Sequence, residues 1–159
     1  ARKIIATGRN TQMLAALGAD VCIDLTADDP TLQAQFSEQA AQQVDVVVDY
    51  LWGRSAELML PALAKHSPGN APVRYVQVGS LSGAEIALNG AVLRAAPLQL
   101  MGSGIGSLSM PQLLAATGEM LQAAVAGGFT IATTPLALSE VANAWPRDNS
   151  QKRTVFVIN

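Results

Sequence analysis

The sequence predicts an α/β fold, a doubly wound parallel sheet with helices on both faces, and three observations carry that reading. Short apolar runs alternate with helical segments along most of the chain. The run Val44–Tyr50 (VDVVVDY) is nearly continuous valine, the pattern of a strand buried on both faces, as in a parallel sheet. Small residues gather just after the apolar runs, at the carboxyl ends of strands, where parallel sheets place their ligand-binding turns.

In order, Ile4–Thr7 reads as a strand, Thr11–Leu17 as a short helix ended by Gly18, and Val21–Leu25 as the next strand. Asp28 and Pro30 supply an N-cap and an early helical proline, and the helix they open runs to about Gln42. After the valine strand come a helix over Ser55–Lys65 and strands over Val73–Gly79 and Leu98–Gly102. Ser109 caps a helix from Met110 to about Ala126, stopped by Gly127 and Gly128. Its Leu113, Leu114, Thr117, Met120, Leu121 and Ala124 form one apolar face. An extended piece near Thr130–Leu138, a helix over Ser139–Trp145, a polar loop over Arg147–Arg153 and a strand over Thr154–Ile158 close the chain. The 159 residues are expected to form a single domain, with residues 107–159 its C-terminal part.

Half of the residues are hydrophobic and only 14% are charged, which suits helices packed on a buried sheet. The net charge of −2 leaves no basic face for nucleic acid or an anionic membrane. The uncharged stretch Ala95–Gly118 is broken by glycines, serines and prolines, so it is a poor membrane span, and a secretory signal is not expected. One cysteine, Cys22, and one histidine, His66, are too few for a zinc site or an internal disulfide. Cytoplasmic location and no metal are therefore expected. Cys22 reads as a small core residue, His66 as a solvated or helix-capping group, and Asp45 and Asp49 as strand-end solvation and turn bonding.

Four turns carry the functional reading. At Thr7-Gly8-Arg9-Asn10, an arginine at the strand end suits an adenosine 2′-phosphate, where an acid would instead accept from a ribose hydroxyl. The competing reading is a solvated arginine beside a helix cap. Tyr50-Leu51-Trp52-Gly53 offers flat side chains to cover an adenine or ribose, or plain rim packing. Gly79-Ser80 and its neighbours put small residues where a cofactor passes close to the sheet. Gly102-Ser103-Gly104-Ile105-Gly106-Ser107 falls short of a G-x-G-x-x-G phosphate loop, with Ser107 in place of the third glycine. No residue stands out as acid, base or nucleophile.

With these turns placed, the sequence resembles the cofactor domain of the medium-chain dehydrogenase/reductase superfamily, its zinc-free quinone oxidoreductase and alcohol-dehydrogenase-like branches. ATGRN resembles the end of that family's second cofactor strand, LGADVCIDL its passage into the third, VDVVVDYLWG its fourth and YVQVGSLSG its fifth. LQLMGSGIGS resembles the sixth strand and its exit, and PLALSEVANAW and KRTVFVIN the closing helix and strand. The resemblance implies a Rossmann-like fold over nearly the whole chain. It implies that Thr7, Gly8, Arg9 and Asn10 face the 2′-phosphate of NADP(H), Tyr50 and Leu51 its middle, and Gly79, Ser80, Gly102 and Ser103 the nicotinamide. It also implies hydride transfer from NADPH to a quinone, enone or carbonyl, and a homodimer through the strand near Leu98–Gly102.

The family's first cofactor strand, its glycine-rich loop and its catalytic domain have no counterpart positions in the sequence, so they are expected upstream of residue 1. The chain is expected to be inactive on its own. Without the first strand, Ile4–Thr7 is expected to close against Val44–Tyr50, or another chain to fill the gap. A short-chain reductase is excluded, since no Tyr-x-x-x-Lys pair is present: Arg54 follows Tyr50 and Gly79 follows Tyr75 at that spacing. The alternative of a different class is a catalytically silent nucleotide-binding or scaffold domain.

Overall fold

The computed structural model describes residues 1–69, 71–146 and 152–158. The chain divides into two compact units, Ala1–Ser107 and Leu108–Asn159. The first holds β1 (Ile5–Gly8), α1 (Thr11–Ala16), β2 (Val21–Asp24), α2 (Asp29–Ala41), β3 (Val46–Asp49), α3 (Gly53–His66), β4 (Val73–Gln77), α4 (Val92–Ala95) and β5 (Leu98–Gly102). The second holds α5 (Met110–Gly127), β6 (Thr133–Ala137), α6 (Val141–Ala144) and β7 (Arg153–Val157). Most of the expected polar loop over 147–153 lies outside the described residues.

Local chemistry sets the helix ends. The Asn10 side chain accepts from the Met13 N–H at 3.1 Å to start α1, and the Asp28 side chain accepts from the Thr31 N–H at 2.8 Å to start α2. Ser109 and Gln112 form a capping box at the head of α5, and Gly128, at φ +61°, ends that helix. The short helix α4 has neither cap nor periodic face and was not expected from the sequence.

Every strand pairing is parallel, as an α/β fold requires. Ile5 lies opposite Val21 and Gly8 opposite Asp24 in the β1–β2 pair. Val46 faces Arg74, and Val73 faces Leu98, in a β3–β4–β5 sheet. β6 and β7 pair separately, with Thr133 opposite Arg153. The sheet is thus divided, and the expected closure of β1 against β3 does not occur: the two belong to different sheets.

What unites the first unit is a helical layer. α2 and α3 pack on each other, and their apolar residues serve both sheets. Leu32 and Phe36 of α2 and Ala62 of α3 cover Ile23 and Leu25 by β2, while Ala56, Leu60 and Leu63 of α3 and Ala40 of α2 cover Val73 and Tyr75 of β4. Each large side chain buried this way contributes about 2 kcal/mol, so the two sheets are coupled through the helices in place of a ladder.

Two burial expectations fail. In the valine strand only one face is covered: Val47 packs against the α3 cluster, whereas Val46 and Val48 are 43% and 57% exposed. Cys22 is exposed as well, because strand alternation turns it away from the core that takes Ile23, and its thiol donates to the Leu14 carbonyl at 3.4 Å. In the second unit, Leu114, Met120 and Leu121 on the expected apolar face of α5 are exposed.

Candidate cofactor-binding edge

Parallel strands of one unit end on one side, and hydrogen bonds tie the turns there together. The turn after β3 is the most constrained. Asp49, 8% exposed, turns its carboxyl group back into its own turn, where Oδ1 accepts from the N–H groups of Leu51 at 2.9 Å and Trp52 at 3.1 Å. Its Oδ2 accepts from the Tyr75 hydroxyl at 2.7 Å. Burial, then the bond to Asp49, push the Tyr75 phenol far above its ordinary value, so it remains a neutral donor.

Held in this way, Trp52 adopts φ +58° and ψ −149°, a region that non-glycine residues rarely visit. Its ring meets Tyr75 edge-on, 6.3 Å between centroids. Gly53 follows at φ +56°, and a β-carbon there would lie 2.8 Å from the Ser82 carbonyl oxygen. The turn after β4 is pressed against it: the Ser82 N–H donates to the Leu51 carbonyl at 2.8 Å, and a β-carbon on Gly79 would sit 2.9 Å from the Tyr50 carbonyl oxygen. The glycines at 53 and 79 are what allow these two backbones to touch.

The turn after β5 joins the same edge, since the Ser103 N–H donates to the Gln77 carbonyl at 2.8 Å. Arg54 links the group to β2. Its guanidinium donates to the carbonyls of Leu25 at 3.1 Å and Ala27 at 2.7 Å and pairs with Asp29. Leu51 packs into the β2 cluster from the other side. Because Gly8 pairs with Asp24, one residue short of Leu25, the Thr7–Asn10 turn leaves the β1–β2 sheet at that same edge.

All ten residues singled out from the sequence therefore lie at strand carboxyl ends, Thr7, Gly8 and Gly102 as the last residues of β1 and β5 and the other seven in the turns that follow a strand. Gly8 sits close to Leu14, whose Cδ2 would be 3.3 Å from an added β-carbon. Asn10 spends its oxygen on the α1 cap, leaving its amide N–H groups as its donors. Arg9 is exposed and makes no side-chain bond to another described residue. Tyr50 is 61% exposed, and Ser80, Gly102 and Ser103 are exposed beside it. The expectation that two aromatics could cover a ligand is halved: Tyr50 is open, whereas Trp52 is spent on Tyr75. The turn bonding expected of Asp49 is present, whereas sequence reasoning passed over its bond to Tyr75 and the role of Arg54 in shaping the edge.

A nucleotide fits this edge by the chemistry of its donors. It offers an unpaired guanidinium, hydroxyls at Thr7, Ser80 and Ser103, and glycine backbone that a phosphate or ribose can approach. Among the described residues, no three His, Cys, Asp or Glu side chains gather where a metal ion could be held. No described helix is long and apolar enough to cross a membrane.

No protein-family profile matches the chain, and no curated protein matches it by sequence. Solved structures do match. A protein from Mesorhizobium loti described as an NADPH:quinone reductase superimposes with a TM-score of 0.72 at 21% identity, over 98% of this chain and 45% of its own. CurA of Vibrio vulnificus, solved with NADPH, gives 0.67 at 15% identity over 99% of this chain and 50% of its own. The alcohol dehydrogenase of Aeropyrum pernix gives 0.66 at 21% identity over 96% of this chain and 42% of its own. The likeness is one of fold: α/β, Rossmann-like, shared with NADPH-using reductases and an alcohol dehydrogenase. The chain spans about half the length of the structures that it matches, or less.

Proposed function

We propose that the chain is the cofactor-binding portion of an NADPH-dependent oxidoreductase of the medium-chain dehydrogenase/reductase type, whose parent reduces a quinone, enone or carbonyl compound. The observation that supports this reading is that Arg9, Tyr50, Gly79 and Gly102 each lie at the end of a parallel strand, in a fold shared with NADPH:quinone reductases. Bound there, NADPH supplies the hydride. The chain's own residues supply position and selectivity. Arg9, with Thr7, Gly8 and the Asn10 amide, takes the 2′-phosphate and its ribose; Tyr50 and Leu51 cover the middle; Gly79, Ser80, Gly102 and Ser103 let the nicotinamide end lie against backbone. Residues 1–159 bind the cofactor without turning over substrate, because the edge carries no acid, base or nucleophile directed at a reacting atom. The homodimer belongs to the same proposal, supported by β5 being the outer strand of its sheet with Leu100 and Met101 exposed.

Calorimetric titration tests the reading. NADPH binds, NADH binds at least about tenfold more weakly, and Arg9→Ala removes that preference while changing stability by less than about 0.5 kcal/mol. Equal binding of both cofactors, or none of either, would refute it.

A further inference from the structure

The connection from β4 to β5 runs without regular secondary structure until it enters α4, and it is fastened at closely spaced points. The Ala87 N–H donates to the Glu57 carboxylate at 2.7 Å, and Ile86, Leu88 and Val92 pack against the core cluster of α3 and β4. Between Leu88 and Val92 the chain makes one tight turn. The Val92 N–H donates to the Asn89 main-chain carbonyl at 2.9 Å, and the Ala91 N–H donates to the Asn89 side-chain oxygen at 2.9 Å.

That turn is built on a reactive pair. Of the asparagines in the chain, only Asn89 is followed by glycine. Gly90 has no β-carbon to shield its nitrogen, and its N–H makes no hydrogen bond to another described residue. Asn89, Gly90 and Ala91 are exposed, so water reaches all three. Because the Asn89 side-chain oxygen accepts from the N–H just past Gly90, the carboxamide is folded back onto the Gly90 peptide. The same oxygen, which gains negative charge when its carbon is attacked, already faces a donor. The surroundings of the other described asparagines differ: Asn10 holds the α1 cap and is followed by β-branched Thr11, and Asn143 lies inside α6.

We propose that Asn89 with Gly90 is a site of spontaneous deamidation, and that the modification releases α4 from its turn. The Gly90 nitrogen gives its proton to solvent and bonds to Asn89 Cγ, the bond from Cγ to the side-chain nitrogen breaks, and that nitrogen takes up a proton and leaves as ammonia. One water then opens the five-membered imide at either of its two carbonyls, so the sum is water consumed and ammonia released, with nothing oxidised or reduced. Both products add one negative charge at position 89. The aspartyl product keeps the backbone and the side-chain acceptor for the Ala91 N–H. The isoaspartyl product routes the main chain through an extra methylene and turns the former main-chain carbonyl into a free carboxylate, so the Val92 N–H loses its partner and the step from Leu88 to Val92 no longer fits. The proposal is independent of any cofactor.

The full chain, kept in mildly alkaline buffer made with heavy-oxygen water, is sampled over time by peptide mass spectrometry. Position 89 loses its amide nitrogen and gains heavy oxygen before any other asparagine does. Gly90→Ala slows this about tenfold by shielding the attacking nitrogen. That variant keeps the fold, since the added β-carbon meets only Arg94 Nη1, at an ordinary 3.6 Å. A second arm separates charge from chain length by residue-resolved amide hydrogen exchange. Exchange at Val92 speeds up in the isoaspartyl product, separated by chromatography, and stays at the parent's rate in freshly prepared Asn89→Asp, while Tyr75 in β4 is unchanged in both. The proposal is overturned if position 89 reacts no faster than the other asparagines, if Gly90→Ala reacts as fast as the parent, or if Val92 exchanges equally in the isoaspartyl product and the parent. Faster exchange at Tyr75 as well would also overturn it, since the change would then not be confined to α4 and its turn.

Discussion

The turn after β3 and the turn after β1 each end a parallel strand and lead into a helix, yet they are held in different ways. After β3, one buried carboxyl group accepts from two backbone N–H groups and a tyrosine, a tryptophan is forced to positive φ, and a neighbouring turn lies in backbone contact. After β1, one asparagine cap is the only side-chain bond among the described residues, and Arg9 is left open. Under the proposed function, the difference divides the labour on a nucleotide. A region fixed by many mutually dependent bonds sets where backbone can approach a ligand, and a loosely held one leaves its charge free to choose between ligands.

The sharpest way to break the comparison is at Gly53. Gly53→Ala places a methyl 2.8 Å from the Ser82 carbonyl oxygen, on a residue with φ +56°, and neither backbone can yield without losing the other's bonds. It is expected to cost about 3 kcal/mol in denaturant unfolding. A loss under about 1 kcal/mol would show that the two turns are not locked together.

Tyr75→Phe is next, at about 2 kcal/mol, because it leaves a buried Asp49 oxygen short of a donor. It also has a pH signature. The folded phenol titrates well above its ordinary value of 10.0, so near and above that pH the unfolded chain loses a proton that the folded chain keeps. Stability should therefore be unaffected by this group below pH 10 and fall as the pH rises beyond it, and Tyr75→Phe should lack that component of the decline. A parallel decline in both proteins would place the phenol in solvent.

The smallest structural effect is at the β1 turn. Asn10→Ala removes the α1 cap and should cost about 1 kcal/mol. If the loss matched that of Gly53→Ala, the β1 turn would be as tightly determined as its counterpart.

The legible and illegible parts of this molecule differ by how far apart the determining residues lie. Leu98–Gly102 was readable to the residue, and the starts of α2 and α5 followed from Asp28 with Pro30 and from Ser109, because those signals sit within four residues of what they decide. The network around Asp49 was not readable, since its main partner, Tyr75, is 26 residues away and arrives only through the β3–β4 register. The valine strand misled for a related reason. Its composition is that of a strand covered on both faces, but cover depends on what packs there, and Val46 and Val48 stay exposed. The turns at the strand ends were legible because small residues after apolar runs mark where a strand stops. That β1 and β3 belong to different sheets was not, because the two strands lie 40 or so positions apart and carry no local mark of their partners.

The central claim, that four turns form one nucleotide-binding edge, is tested most directly by amide chemical-shift mapping of the chain titrated with NADPH. The account predicts saturable shifts concentrated at residues 7–10, 50–53, 79–83 and 102–103, with those at 7–10 diminished when NADH replaces NADPH. Shifts confined to one of these turns, or lying mainly elsewhere, would contradict it.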